Sequence, residues 1–188
     1  MEYNIVTIIP AKGNSNRLPN KNITLFRGKP MLVWAIDACR ESKYPMNVFV
    51  SSDSKEILKI AEQHGANPIQ RNPDVCGDNV YKQAVIRSAA KEIGFRCEYS
   101  KVDYPDIVIS LQPNSPQIKG YHLDLGIDIL IREDKDEIFS VDSNLMQNAA
   151  FRIMKWSYVF QQDLSTNCGV VVCDLKDIHT KEDMEALE

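Results

Sequence analysis

Between Ala11 and Pro30 stand five basic residues, Lys12, Arg17, Lys21, Arg27 and Lys29, and no acidic one. The 188-residue chain as a whole is acidic, with 22 Lys and Arg against 26 Asp and Glu, so this local excess of positive charge departs from its surroundings. Cations interleaved with Asn14, Ser15 and Asn22 suit an anion bearing three or more negative charges. The ammonium and guanidinium groups neutralise it, and the amides and hydroxyl add hydrogen-bond donors. Gly13 lets backbone approach a ligand, and successive N–H groups of such a turn can form a phosphate nest. Neither GxxxxGK[ST] nor GxGxxG occurs in the chain, so the turn is neither a P-loop nor a dinucleotide fingerprint. By composition alone the same residues also describe a solvated basic loop.

The elements around this turn set where it must lie. Asn4 to Ile9 is a short β-branched run that reads as a strand buried on both faces. Pro30 opens an apolar segment, Met31 to Cys39, as a first-turn proline does. Asn47 to Ser51 predicts a second strand. Asp53 with Glu56 reads as an N-capping pair for a helix presenting Ile57, Ile60 and Ala61 on one face and stopping at Gly65. Asp78 reads as the cap of a helix running to Ile93 and ended by Gly94. Asp106 to Leu111 predicts a buried strand, and segment 121–131 fits period two as well as a helix, with length favouring the helix. Glu137 to Val141, Phe151 to Trp156 and Val170 to Cys173 read as strands, and Thr180 with Asp183 caps a last short helix. Strands alternating with helices through the first 130 residues imply a parallel, doubly wound sheet, and the later strands an antiparallel addition. The expected organisation is one domain over 1–188. In such sheets ligands sit outside the carboxyl ends of the strands, which selects loops 10–22, 51–54, 71–79 and 112–120.

Composition removes several function classes. The formal net charge of −4 argues against nucleic acid as the main partner. No apolar run reaches the ~18 residues that span a bilayer, and the first ten residues lack a basic region and cleavage site of the secretory kind. The five cysteines (Cys39, Cys76, Cys97, Cys168, Cys173) form no CxxC and no zinc-like spacing, as expected of free thiols in a reducing cytoplasm.

The stretch Ile9-Pro10-Ala11-Lys12-Gly13-Asn14-Ser15-Asn16-Arg17-Leu18-Pro19-Asn20-Lys21-Asn22, followed by Gly28-Lys29-Pro30, resembles the signature of the acylneuraminate (CMP-sialic acid) cytidylyltransferase family. Ser51-Ser52-Asp53-Ser54, Arg71-Asn72-Pro73 with Gly77-Asp78, and Leu111-Gln112-Pro113-Asn114-Ser115-Pro116 resemble its later motifs in order. Asp177 to Asp183 resembles its C-terminal motif. The resemblance implies an α/β fold, a Rossmann-like (GT-A-like) nucleotidyltransferase three-layer sandwich with a mostly parallel sheet. It implies a reaction in which CMP passes from CTP to an acidic acceptor and pyrophosphate leaves. Catalysis of that kind is chiefly positioning and charge neutralisation. Lys12, Arg17 and Lys21 are the expected catalytic cations, with Lys21 at the α-phosphate. Ala11, Gly13, Ser15 and Asn22 are expected nucleotide contacts. Arg71 and the segment around Asp78 are expected to select the cytosine, and Gln112, Asn114 and Ser115 to touch the acceptor.

Magnesium is the expected metal, because it bridges phosphate oxygens and needs one or two protein carboxylates. The resemblance places its ligands at Asp177 and His179. The family pattern there is Asp-x-Asp, and histidine suits a softer ion such as Mn²⁺ better. These residues could equally only cap the last helix. Other departures fall on the acceptor side. Asn16 stands where the family has Lys, Gln117-Ile118 replaces a Leu-Arg pair, and the stretch between Val141 and Asn167 is short where relatives carry a dimer-forming extension. Arg152, Lys155, Trp156 and Tyr158 in that stretch read either as acceptor contacts or as outward residues of an edge strand. The resemblance implies a nonulosonic acid (sialic, legionaminic or pseudaminic) as acceptor and allows a homodimer. The trimmed acceptor side leaves one rival, a small phosphonate or phosphate acceptor, and Asn16 and His179 leave another, a non-catalytic nucleotide-binding relative.

Overall fold

A computed structural model of the chain describes residues 3–15, 17–77, 79–161 and 165–187. The opening strand β1 (Ile5–Pro10) leads through the cationic turn to a short hairpin, β2 (Leu25–Phe26) and β3 (Lys29–Pro30). Then follow α1 (Met31–Glu41), β4 (Asn47–Ser52), α2 (Lys55–Gln63), β5 (Asn67–Gln70), α3 (Lys82–Ser100), β6 (Ile107–Leu111), α4 (Gly120–Arg132), β7 (Glu137–Val141), β8 (Gln147–Lys155), β9 (Cys168–Val172) and α5 (Lys181–Glu185). The hairpin turns on Arg27 and Gly28, both at positive φ (47° and 81°), the geometry of a two-residue primed turn.

The main sheet has the order β5-β4-β1-β6-β8-β7-β9. Every neighbouring pair is parallel except the two that involve β8, which runs against β6 on one side and β7 on the other. The antiparallel addition is thus a single strand, and β9 returns parallel to β7. The run Asn4–Ile9 is apolar at nearly every position because both faces are covered. Ile5 and Ile9 face α1, α2 and α4, whereas Val6 and Ile8 face α3. Ile109 and Val108 divide in the same way on β6, so the expected three-layer arrangement holds.

Several local expectations change. Ser54, not Asp53, caps α2 by accepting from the Ile57 N–H. Gly94 does not end α3, which continues to Ser100 and stops at Lys101 in the left-handed conformation. A Cβ at Gly94 would lie 3.3 Å from Tyr104 and 3.4 Å from Trp156, so this glycine makes room for a ring pair rather than a helix stop. The expected cap Asp78 lies outside the described residues, and the helix expected to start there begins instead at Lys82, with Tyr81 as its N-cap. Strand β5 went unrecognised because Asn67 and Pro68 break the apolar pattern, and β8 is an interior strand rather than an edge. The described cysteines are free thiols, and burial pushes that of Cys39 up, which leaves it unreactive.

The contact between α1 and α4 is tight. A Cβ at Gly120 would lie 2.4–2.6 Å from backbone atoms of Glu41 and Ser42, which cannot move aside as a side chain can. Gly120→Ala is therefore expected to lower stability by about 1–3 kcal/mol. A thermal melt reads this as a Tm fall of roughly 2–4 °C per kcal/mol for a chain of this size. An unchanged melt would show that the two helices can separate freely.

Candidate nucleotide and acceptor site

The carboxyl ends of β1, β4, β5, β6 and β7 open on one pole, and the cationic turn folds back over it. Lys12, Asn14, Ser15, Arg17, Lys21 and Asn22 line one wall of an open pocket of about 350 Å³, and Gln112, Pro113 and Asn114 line the other. Asn20, left-handed at φ 54°, starts the 3₁₀ turn that carries Lys21 inward. Gln112 is held where β6 ends by its N–H, which donates to the Ala150 carbonyl at 2.9 Å.

The turn is anchored on the neighbouring loop. The Gly13 N–H donates to Asp53 Oδ1 at 2.7 Å, and the Ala11 N–H donates to the Ser51 carbonyl at 2.9 Å. These two amides are therefore engaged by protein rather than free for a phosphate nest, and gripping an anion falls largely to side chains. A Cβ at Gly13 would meet the Ser54 Cβ at 2.8 Å and Asp53 Oδ1 at 3.3 Å. Gly13→Ala is expected to push the turn off its anchor and weaken binding of a triphosphate at least tenfold by calorimetry. Unchanged affinity would mean that the anchor does not shape the pocket.

Arg71 is buried, and its Nη2 donates at 2.9 Å to the same Ser51 carbonyl that accepts from Ala11. It is not a surface arginine. Burial pushes its guanidinium pKa down and the nearby Asp53 carboxylate pushes it up. Arg71 lines a hollow of about 270 Å³ with Ser51, Ile69, Asn72 and Ser88. Among the described residues, the buried side-chain polar atoms that lack a hydrogen-bond partner are Asn22 Oδ1 and Arg71 Nε. Orphaned buried groups are rare in folded chains. Both occur on residues the sequence assigns to nucleotide binding. Asn22 uses its amide nitrogen on the Lys12 carbonyl, at 2.8 Å.

The C-terminal segment closes the far side. Asn114 Nδ2 donates to the Ile178 carbonyl at 3.3 Å, the Ile178 N–H donates to the Asn114 carbonyl at 2.8 Å, and the Ser115 hydroxyl donates to Asp177. Asn114 and Ser115 are thus occupied in positioning Asp177. Phe26, Met31 and Ile178 form a small core with Leu18, Trp34, Met184 and Leu187, which ties the cationic turn, the hairpin, α1 and α5 together. Burying Phe26 alone contributes about 1.5–3 kcal/mol. Thr180 and Asp183 cap α5 reciprocally, as expected, and Asp183 also accepts from the His179 N–H.

Charge is concentrated here. Burial pushes the Lys21 pKa down, Asp177 and Asp183 push it up, and Arg17 pushes it down. Burial and the cations Lys21 and Arg17 hold His179 below the usual imidazole range despite Asp177 and Asp183, so the ring is neutral at pH 7. His179 Nε2 lies 3.9 Å from Asp177 Oδ2. No cluster of three His, Cys, Asp or Glu able to hold a metal occurs among the described residues. The donor set here is one carboxylate and one imidazole. That fits an ion sharing a single carboxylate with phosphate oxygens and water, not a protein cage.

Sequence reasoning missed Lys82, a half-buried lysine whose ammonium the Asp177 carboxylate also favours. A polar pair at the start of α3 reads as exposed, and only the fold brings it to the site. Of the residues read as alternatives for acceptor binding, Arg152 is paired with Glu137 inside the sheet. Lys155 pairs with Asp134 and Asp136 at the opposite pole, where Trp156 packs on Tyr104 and Phe160.

A family model described as cytidylyltransferase matches residues 6–119. N-acylneuraminate cytidylyltransferase A of Danio rerio is 31% identical over 137 residues, which cover 73% of this chain and 30% of the relative. The CMP-N,N'-diacetyllegionaminic acid synthase of Legionella pneumophila is 37% identical over 113 residues, 60% of this chain and 47% of the relative. The chain therefore spans about a third to a half of the length of these relatives. A solved CMP:2-keto-3-deoxy-manno-octonic acid synthetase in complex with CTP superposes with a TM-score of 0.75 at 14% identity, covering 98% of this chain and 96% of that one, and bears on the fold.

Proposed function

The chain belongs to the cytidylyltransferase family, and on that premise we propose that it transfers CMP from CTP to an acidic sugar of the nonulosonic class, releasing pyrophosphate. The observation that carries this reading is the pocket itself, in which Lys12, Arg17 and Lys21 face Gln112 with Asp177 alongside. The acceptor hydroxyl oxygen forms a bond to the α-phosphorus and its proton passes to solvent. The bond from that phosphorus to the bridging oxygen breaks, and its electron pair leaves with pyrophosphate.

Each side chain has a share in this. Lys12 and Arg17 hold the β- and γ-phosphates, Ser15 and Asn22 add hydrogen bonds, and Lys21 sits at the α-phosphate, where charge shifts as the bond breaks. The orphaned Arg71 Nε supports a carbonyl acceptor in the hollow beside it, as the cytosine ring offers. A divalent ion, magnesium or manganese, would be held by Asp177 with His179 nearby and would neutralise phosphate oxygens. Gln112 would orient the acceptor.

The test is pyrophosphate release from CTP, ATP, GTP and UTP with a panel of sialic, legionaminic and pseudaminic acids and small phosphonates. Release with CTP and a nonulosonic acid is expected. Release with only a phosphonate shifts the acceptor class, which the short β7–β8 connection (142–146) would suit. CTP binding without release from any acceptor, in Mg²⁺ or Mn²⁺ and in His179→Asp as well, would make the chain a nucleotide sensor.

A further inference from the structure

We propose that Lys82 is the acceptor-side cation of the site, contacting the anionic group of the acceptor next to its attacking hydroxyl. This rests on the reading of the chain as a CMP transferase to an acidic acceptor.

Lys82 occupies the first position of α3, whose first turn holds no acidic residue and whose N-cap, Tyr81, gives no side-chain hydrogen bond. A helix N-terminus disfavours a cation, because the backbone dipole is positive there. The side chain is half-buried, and that burial pushes the pKa of its ammonium down. Among the described residues its hydrogen bond is one, to the Ala149 carbonyl at 3.5 Å, the long limit for such a bond. Its neighbouring charges are Asp177, which favours the ammonium, and Arg152, which opposes it. Arg152 is satisfied elsewhere, by Glu137 and by Gln83 Oε1 at 3.0 Å. A half-buried lysine at a dipole of its own sign, beside an arginine and with one long hydrogen bond, is a cation that an anionic ligand would complete.

Three observations fix where that ligand sits. The Asp177 carboxylate acts on both Lys21 and Lys82, so the proposed triphosphate cation and this one share one acidic neighbour. Ala149, whose carbonyl meets Lys82, precedes Ala150, whose carbonyl accepts from the Gln112 N–H. Lys82 is therefore beside the residue assigned to the acceptor. Ala149 lies in the left-handed region, at φ 60°, where the β7–β8 register shifts. That bulge turns its carbonyl toward Lys82 at a backbone cost that alanine does not otherwise incur. Lysine, backbone distortion and Gln112 converge on the acceptor side, and Lys82 is not part of the lining of the Lys12–Arg17–Lys21 pocket.

The test compares the wild type with Lys82→Met, which keeps the stem and removes the charge, and Lys82→Arg, which restores a cation. Two quantities are measured, binding of N-acetylneuraminic acid to the CTP-loaded protein by calorimetry, and the KM for the acid in pyrophosphate release. Lys82→Met is expected to weaken binding and raise KM about 10- to 100-fold, the size of a lost charge-assisted hydrogen bond. Its CTP affinity should stay within about twofold, which also shows that the variant folds, and Lys82→Arg should recover most of the loss. An unchanged acceptor KM in an active Lys82→Met protein overturns this proposal and leaves the transferase reading intact. A tenfold loss of CTP affinity overturns it by assigning Lys82 to the triphosphate. A wild type that binds CTP but neither binds nor uses the acid, or any other of the panel, overturns both.

Discussion

Lys21→Met is expected to lower kcat about 10²–10³-fold, the effect of removing one preorganised group from a site of developing charge, while changing CTP affinity less than tenfold. Lys21 is the cation carried by the 3₁₀ turn after Asn20; it is half-buried where Arg17 is exposed, and the charges of Asp177 and Arg17 both act on it. Burial and Arg17 make the charged form of Lys21 costly, so its ammonium suits a strong anion rather than solvent. A contact that tightens as the α-phosphorus changes partners appears in kcat, whereas one equally strong before and after appears in affinity. Arg17→Met, nearer the mouth, should fall mainly on CTP affinity. Pre-steady-state turnover together with calorimetry separates the two. Equal losses in both quantities for Lys21→Met would place it on the ground-state phosphates instead.

The second large effect is expected at Asp177. Asp177→Asn keeps an oxygen for the Ser115 hydroxyl and removes the charge, so the local packing survives. At a fixed, subsaturating Mg²⁺ concentration its activity should drop about 10²–10³-fold, because an ion that neutralises the phosphates contributes several kcal/mol. Excess Mg²⁺ should recover part of the loss. His179→Asp should act the opposite way and lower the Mg²⁺ needed for half-maximal rate, by adding a second hard ligand to a position now held by a neutral imidazole. A metal titration of initial rates reads both variants. An Asp177→Asn protein as active as wild type at low Mg²⁺ would remove this residue from the metal site.

The cationic turn was legible because five basic residues without a counter-charge stand out in any acidic chain, and the strand before it because a doubly covered strand must be apolar throughout. The later motifs were recognised in order, but not the work each side chain does. Asp53 looks like a helix cap and instead holds the Gly13 amide, since Ser54 is one residue better placed to cap. Gly94 looks like a stop and is a seat for two rings. Both depend on what packs opposite, which local pattern does not record. Lys82 was missed for the same reason. Its neighbours Asp177 and Ala149 are distant in sequence, and only the reversed strand β8, which carries Ala149, and the segment between β9 and α5, which carries Asp177, bring them to the start of α3.

That reversed strand has an evolutionary consequence. Because β8 runs against β6 and β7, the short connection 142–146 emerges at the pole where the nucleotide loops converge, between strands whose pairing is already complete. A longer segment spliced in there would leave every ladder of the sheet in register. Doubling such a loop adds only about 0.6 kcal/mol of closure entropy. Substrate range on this scaffold can thus diversify by exchanging one cassette while the machinery for the nucleotide is inherited whole. Grafting the corresponding segment from a longer homologue is the laboratory version of that event.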